Sequence, residues 1–95
     1  MAFIIEAMDR IGSGEIRQSH RAAHLAFLEK AGADVLLAGP VLTDDGEMAG
    51  SLFIVNYDSI GAVRNWLKDD PYSCANLFET VAIKPFKPVI TNFER

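Results

Sequence analysis

The stretch Arg17-Gln-Ser-His-Arg-Ala-Ala-His-Leu-Ala-Phe-Leu28 reads as a helix in which the chain's only two histidines stand one turn apart. At ~100° per residue, Ile16, His20, Ala23, Phe27 and Ala31 fall on one stripe, with His24 and Leu28 along its edge. Both histidines therefore lean toward the buried side. Arg17 sits near the same border, Arg21 lies further round, and Glu29 and Lys30 are expected in water. The helix opens at Ser13 or Gly14 and carries Glu15 in its first turn, where a negative charge suits the dipole. It runs to about Ala31, and Gly32 fits its C-terminal cap.

Working outward, residues 2–8 are rich in Ile and Phe around a single charge, Glu6, and form a strand that ends in the turn cluster from Asp9 to Gly14. On the other side of the helix, residues 34–42 form a strand interrupted by Gly39-Pro40. A proline cannot donate to a ladder, so this strand is bulged or lies at an edge. Asp45-Gly46 is a turn signal, and residues 50–57 return as the antiparallel partner. Asp58-Ser59 caps a second helix over residues 59–69, marked by Ile60, Val63 and Leu67. Pro71 pushes Asp70 out of helical geometry and opens a short turn through Tyr72-Ser73-Cys74-Ala75. Residues 77–86 are a fourth strand, and Val89-Ile90 in the tail to Arg95 are able to extend one.

The order βαββαβ places both helices on one face of a four-stranded antiparallel sheet, the ferredoxin-like α+β arrangement, in one domain over residues 1–95. Two helices cover one side only. A sheet with its other side in water alternates apolar and polar residues. Here Val35 and Leu37 oppose Leu36 and Ala38, and Leu52 and Ile54 oppose Phe53 and Val55, so both faces call for cover. A second copy packed sheet to sheet supplies it. The competing cover, the C-terminal tail, is too short to hide a sheet.

Half of the residues are hydrophobic, which excludes a disordered chain. The net charge of −4 argues against nucleic acid, and no basic run marks a membrane surface. Cys74 is alone, so no intrachain disulfide forms. No signal peptide is expected ahead of the first strand, and no apolar run approaches the ~20 residues that span a bilayer. A soluble cytoplasmic protein is expected. No Gly-rich phosphate loop follows a strand, so no cofactor is expected.

Several motifs occur in order over nearly the whole chain: Arg17-x-x-x-Arg21-x-x-His24-Leu25-x-x-Leu28, Ala38-Gly39-Pro40, Gly50-Ser51, Asp70-Pro71-Tyr72 and Lys84-Pro85-Phe86. In these the sequence resembles the YciI-like (YCII-related) family. The resemblance implies a ferredoxin-like subunit of a dimeric α+β barrel and a histidine and aspartate in a pocket, roles that fall on His24 and Asp70. It also implies that Gly39, Pro40, Ser51 and Tyr72 lie at that pocket. A relative removes chloride from a chlorinated hydroxyquinone, and the wider superfamily includes isomerases and monooxygenases acting on small rings. The sequence departs from the pattern at His20 and in its short hairpin around Asp44.

The chemistry follows from residue types. His24 suits proton transfer beside a carboxylate that holds its tautomer; its plain alternative is a half-buried ring bonded to a carbonyl. Asp70 caps the turn opened by Pro71 and still has an oxygen to orient the imidazole. His20 and His24 have metal-compatible spacing but no third ligand or adjacent glutamate, so no metal is expected. Arg17 and Arg21 suit an anion, unless they are solvated against Glu15 or Glu29. Asp9 ends the first strand near the pocket mouth. Cys74 is expected to be a packed thiol, and Tyr72 and Trp66 to be core or pocket lining. This equipment suits a lyase, isomerase or dehydrochlorinase acting on a small anionic or aromatic compound. The alternative is a non-catalytic module that binds or senses a small metabolite.

Overall fold

The structure, a computed structural model, describes residues 1–92. The chain runs β1 (Ala2–Asp9), α1 (Gly14–Ala31), a 3₁₀ turn (Gly32–Asp34), β2 (Val35–Leu42), β3 (Met48–Asn56), α2 (Ile60–Leu67), α3 (Pro71–Cys74) and β4 (Phe78–Phe86). All pairings are antiparallel, in the order β2-β3-β1-β4, which is the ferredoxin-like topology expected from the element order. Residues 87–92 carry no regular element, and Val89 and Ile90 are exposed and extend no strand. The tail's last positions, 93–95, lie outside the described residues.

The central strands alternate strictly. Phe3, Ile5 and Ala7 of β1 and Phe53 and Val55 of β3 are buried beneath the helices. Val63 and Leu67, one turn apart on α2, close over them with Tyr72, Leu77 and Phe78. Each Val, Leu, Ile or Phe side chain among them contributes about 1.5–3 kcal/mol when fully buried. Ser59 caps α2 by accepting from the Ala62 amide at 3.1 Å. Ser13 does not cap α1 in this way; its hydroxyl bonds back to the Arg10 carbonyl. Gly50 is required by close approach, since a Cβ there would lie 2.7 Å from the Ala7 carbonyl oxygen.

Two expectations of face need correction. The buried residues of α1 are Arg17 and His24, whereas Ile16 and Ala23 are exposed and Phe27 is half-buried. The helix is thus rotated by about one residue from its apolar stripe, because Arg17 and His24 find polar partners beneath it. Val35 and Leu37 also do not share a face. A bulge between them pairs Val35 with Val55 but Leu37 with Ile54, so Leu37 turns to the helix-free side. β2 is an edge strand, as Pro40 requires. The helix-free side carries Ile4, Leu37, Leu52 and Ile54, with Glu6 exposed among them.

Candidate active site

Asp70 is placed by the break in helical geometry that Pro71 imposes. Its backbone is extended (φ −60°, ψ 129°), and its Oδ1 accepts from the Tyr72 amide at 3.0 Å, capping α3. The side chain is fully buried. Both its oxygens face His24 Nδ1 from α1, at 2.9 and 3.0 Å. The His24 ring lies flat on Tyr72, with centroids 4.0 Å apart and planes 15° from parallel, and meets the edge of Phe53 at 6.0 Å. Packing and the carboxylate together hold the imidazole in one orientation.

That orientation settles the tautomer of the neutral ring. Nδ1 donates to Asp70, which leaves the lone pair on Nε2. Among the described residues Nε2 has no partner, yet no buried polar side-chain atom there lacks one. Nε2 therefore reaches accessible surface. The space that His24 borders is a cavity of about 170 Å³, lined also by Arg17, Arg21, Leu25, Leu28, Ala38, Gly39, Pro40, Ser51 and Tyr72. A wider groove of about 480 Å³ adjoins it, sharing Arg17 and Arg21 and bordered by Gly14, Gln18, Glu47 and Met48.

A second polar arm enters from β1. Arg17 Nε and Nη2 donate to the two oxygens of Asp9 at 2.7 and 2.9 Å, and Nη2 also donates to Ser51 Oγ at 2.8 Å. The guanidinium lies over the Tyr72 ring, its Cζ 4.7 Å from the centroid. Burial works to lower the Arg17 pKa, but the hydrogen bond to Asp9 and its charge outweigh that and hold it above the ordinary value. Burial raises the Tyr72 phenol above its ordinary range, against the pull of Arg17 and Arg21. Arg21 is exposed, touches Met48 Sδ at 3.7 Å and has no carboxylate partner among the described residues.

Of the residues singled out in the sequence, His24, Arg17, Arg21, Gly39, Pro40, Ser51 and Tyr72 line the cavity together. Asp70 stands one bond behind His24, and Asp9 one bond behind Arg17 rather than at a mouth. Neither Glu15 nor Glu29 pairs with Arg17; Asp9 does. His20 is not in the cavity. It lies on the other flank of α1, over a separate hollow with Ile16, Asp69, Pro71, Cys74 and Ala75. The Cys74 thiol is exposed rather than packed, because α3 is a single turn with that side outward. Trp66 stacks on Phe27 at 4.9 Å, away from the cavity. Leu25, Leu28 and Ala38 supply its apolar lining. The signal for Leu25 and Leu28 was their spacing with Arg21 along one flank of α1.

The fold and this geometry define a ferredoxin-like α+β domain with a carboxylate-backed histidine at a small cavity. Residues 1–87 match the YCII-related domain model, and the chain belongs to that family. It is 37% identical over 97 residues to the protein YciI of Escherichia coli, covering 94% of this chain and 99% of that protein. An uncharacterised Haemophilus influenzae protein is 34% identical over 97 residues, with 94% and 99% covered. Among solved structures, a 5-chloro-2-hydroxyhydroquinone dehydrochlorinase from Burkholderia phenoliruptrix, in complex with 2,5-dihydroxybenzoquinone, is similar with a TM-score of 0.85. It is 37% identical, with 92% of this chain and 94% of that chain covered. A NIPSNAP family protein from Agrobacterium tumefaciens shares the fold alone, at 20% identity and a TM-score of 0.55, with 98% and 96% covered. No helix among the described residues is long and apolar enough to cross a membrane.

Proposed function

We propose that the chain is an acid–base enzyme of the elimination type, acting on a small hydroxylated ring that carries an anionic oxygen. The observation that carries this reading is His24 Nε2, at a cavity and without a partner among the described residues, while Asp70 holds Nδ1 at 2.9 Å. A neutral imidazole so held is a base directed into the cavity, and the imidazolium formed after proton transfer is stabilised by the carboxylate. A cavity of about 170 Å³ suits one substituted six-membered ring, since a void of ~150 Å³ takes up benzene. Tyr72, Leu25 and Leu28 offer it apolar walls, and Arg21, which has no carboxylate partner among the described residues, offers a cation at the rim. The dehydrochlorinase with 2,5-dihydroxybenzoquinone supports the reaction type. In such a step His24 takes a substrate proton and the halide leaves with its bonding electron pair, so that one equivalent of acid is lost overall.

The functional unit in this proposal is a homodimer closed through the helix-free face of the sheet. Its support is the apolar set Ile4, Leu37, Leu52 and Ile54, half-buried on the side of the sheet opposite the helices.

Halide release from chlorinated hydroxyhydroquinones tests the chemistry. Wild type releases halide, and His24→Ala loses about 10²–10⁴-fold in rate while still binding the ring. Tight ring binding without turnover, abolished by His24→Ala, would replace the enzyme with a metabolite-binding module.

A further inference from the structure

The hydroxyl of Ser51 has a partner that only donates. Arg17 Nη2 gives it a hydrogen bond at 2.8 Å, and a guanidinium has no lone pair with which to accept one in return. Ser51's own proton has no acceptor within bonding reach among the described residues. The residue is 3% exposed, and the space it borders is the His24 cavity. It sits in a central strand, in register with Ala7 on one side and Pro40 on the other. Arg17 behind it is locked by two bonds to Asp9. Ser51 is thus a buried, pre-oriented donor.

Two arms of the same design therefore meet one cavity. Asp70 orients His24, whose remaining atom accepts. Asp9 orients Arg17, which orients Ser51, whose remaining hydrogen donates. We propose that Ser51 donates a hydrogen bond to the substrate oxygen on which negative charge gathers once His24 has taken the proton. No bond to Ser51 forms and its proton is not transferred. The hydroxyl is polarised by the cation behind it, and hydrogen bonds to an ionised acceptor are about twice as strong as neutral ones. The ligand class is a ring phenolate or enolate, with one oxygen at Ser51. This assignment rests on the acid–base reading of His24 and adds a catalytic residue to it.

The probe is 2,5-dihydroxybenzoquinone, a coloured ring whose visible band responds to hydrogen bonding at its oxygens. Affinity and band position are measured for wild type, Ser51→Ala, Ser51→Thr and His24→Ala, with thermal unfolding of each. Ser51→Ala binds ten- to a hundred-fold more weakly, with a shifted band, as expected for loss of a hydrogen bond to a charged acceptor. Ser51→Thr, which keeps the hydroxyl, restores both. Should Ser51→Ala not fold, Ser51→Cys, a weaker donor of similar shape, shows the same shift at smaller size. Unchanged affinity and band in Ser51→Ala overturn the Ser51 assignment and leave the His24 reading standing. Equal weakening in Ser51→Ala and Ser51→Thr with no band shift also overturns it, since the residue is then only structural. Failure of wild type to bind the ring overturns both.

Discussion

Asp9 and Arg17, eight positions apart, meet as a bidentate pair with side chains 8% and 7% exposed. Removing one member of a buried pair leaves the other charged and unmatched. Asp9→Asn is therefore expected to cost about 3 kcal/mol, read as a lower denaturant midpoint at unchanged slope. Arg17→Lys loses the fork that reaches both oxygens and Ser51 at once, and weakens ring binding as well as stability. A loss under ~0.5 kcal/mol in Asp9→Asn, the size typical of exposed pairs, would mean that the pair is solvated.

Asp70 serves two partners, and two substitutions separate them. Asp70→Ala deprives both His24 and the Tyr72 amide, and is expected to destabilise by about 2–4 kcal/mol. Asp70→Asn keeps an oxygen for the amide, so most of the stability returns while halide release stays at least ~10-fold low, because an amide does not stabilise imidazolium. Equal activity of Asp70→Asn and wild type would remove the carboxylate from the mechanism.

Alkaline titration reports on the tyrosines. Burial raises Tyr72, and raises Tyr57 with the help of Asp34. A phenol whose folded pKa lies above its unfolded value favours folding while it is protonated. The contribution is complete below about pH 10 and falls as the pH rises from there through the folded value. Tyr72→Phe is expected to flatten part of the loss of stability above pH 10, with Tyr57→Phe removing a further part. Melting curves from pH 8 to 11 test this, and identical alkaline slopes in Tyr72→Phe and wild type would contradict it.

The helix-free face gives a test of assembly. Sedimentation at micromolar concentration is expected to give twice the 10.4 kDa chain mass. Ile54→Lys, placing a charge between Leu37 of β2 and Ile4 of β1, is expected to yield monomer that remains folded. A wild type that sediments as monomer would contradict the dimer.

Much of the fold was legible because its signals are local. Pro71 excludes helix at the residue before it, so Asp70 had to be extended and its carboxylate free to cap. Ser59 ahead of Ile60 and Val63 marked a helix start in the same way. The phase of α1 was not legible. Apolar periodicity centred the buried stripe on Ile16 and Phe27 and left Arg17 at its border, because the burial of Arg17 depends on partners that the helix itself does not contain. His20 and His24 looked alike for the same reason, and only the side on which β2 and β3 pack tells them apart. The bulge at Leu36 changed the face of Leu37 without any residue type announcing it.

The sequence by itself determined the elements, their order and the pairing of a turn aspartate with a helix histidine as candidates, since these rest on backbone restrictions and on motifs carried within a few residues. Tertiary structure alone decided that Asp9 holds Arg17, that Arg17 reaches Ser51 across 34 positions, and that Asp70 meets His24 across 46. The reason is physical. A buried polar group is stable only when its complement arrives from elsewhere in the chain, and that arrival depends on strand register and helix rotation rather than on either residue's neighbours.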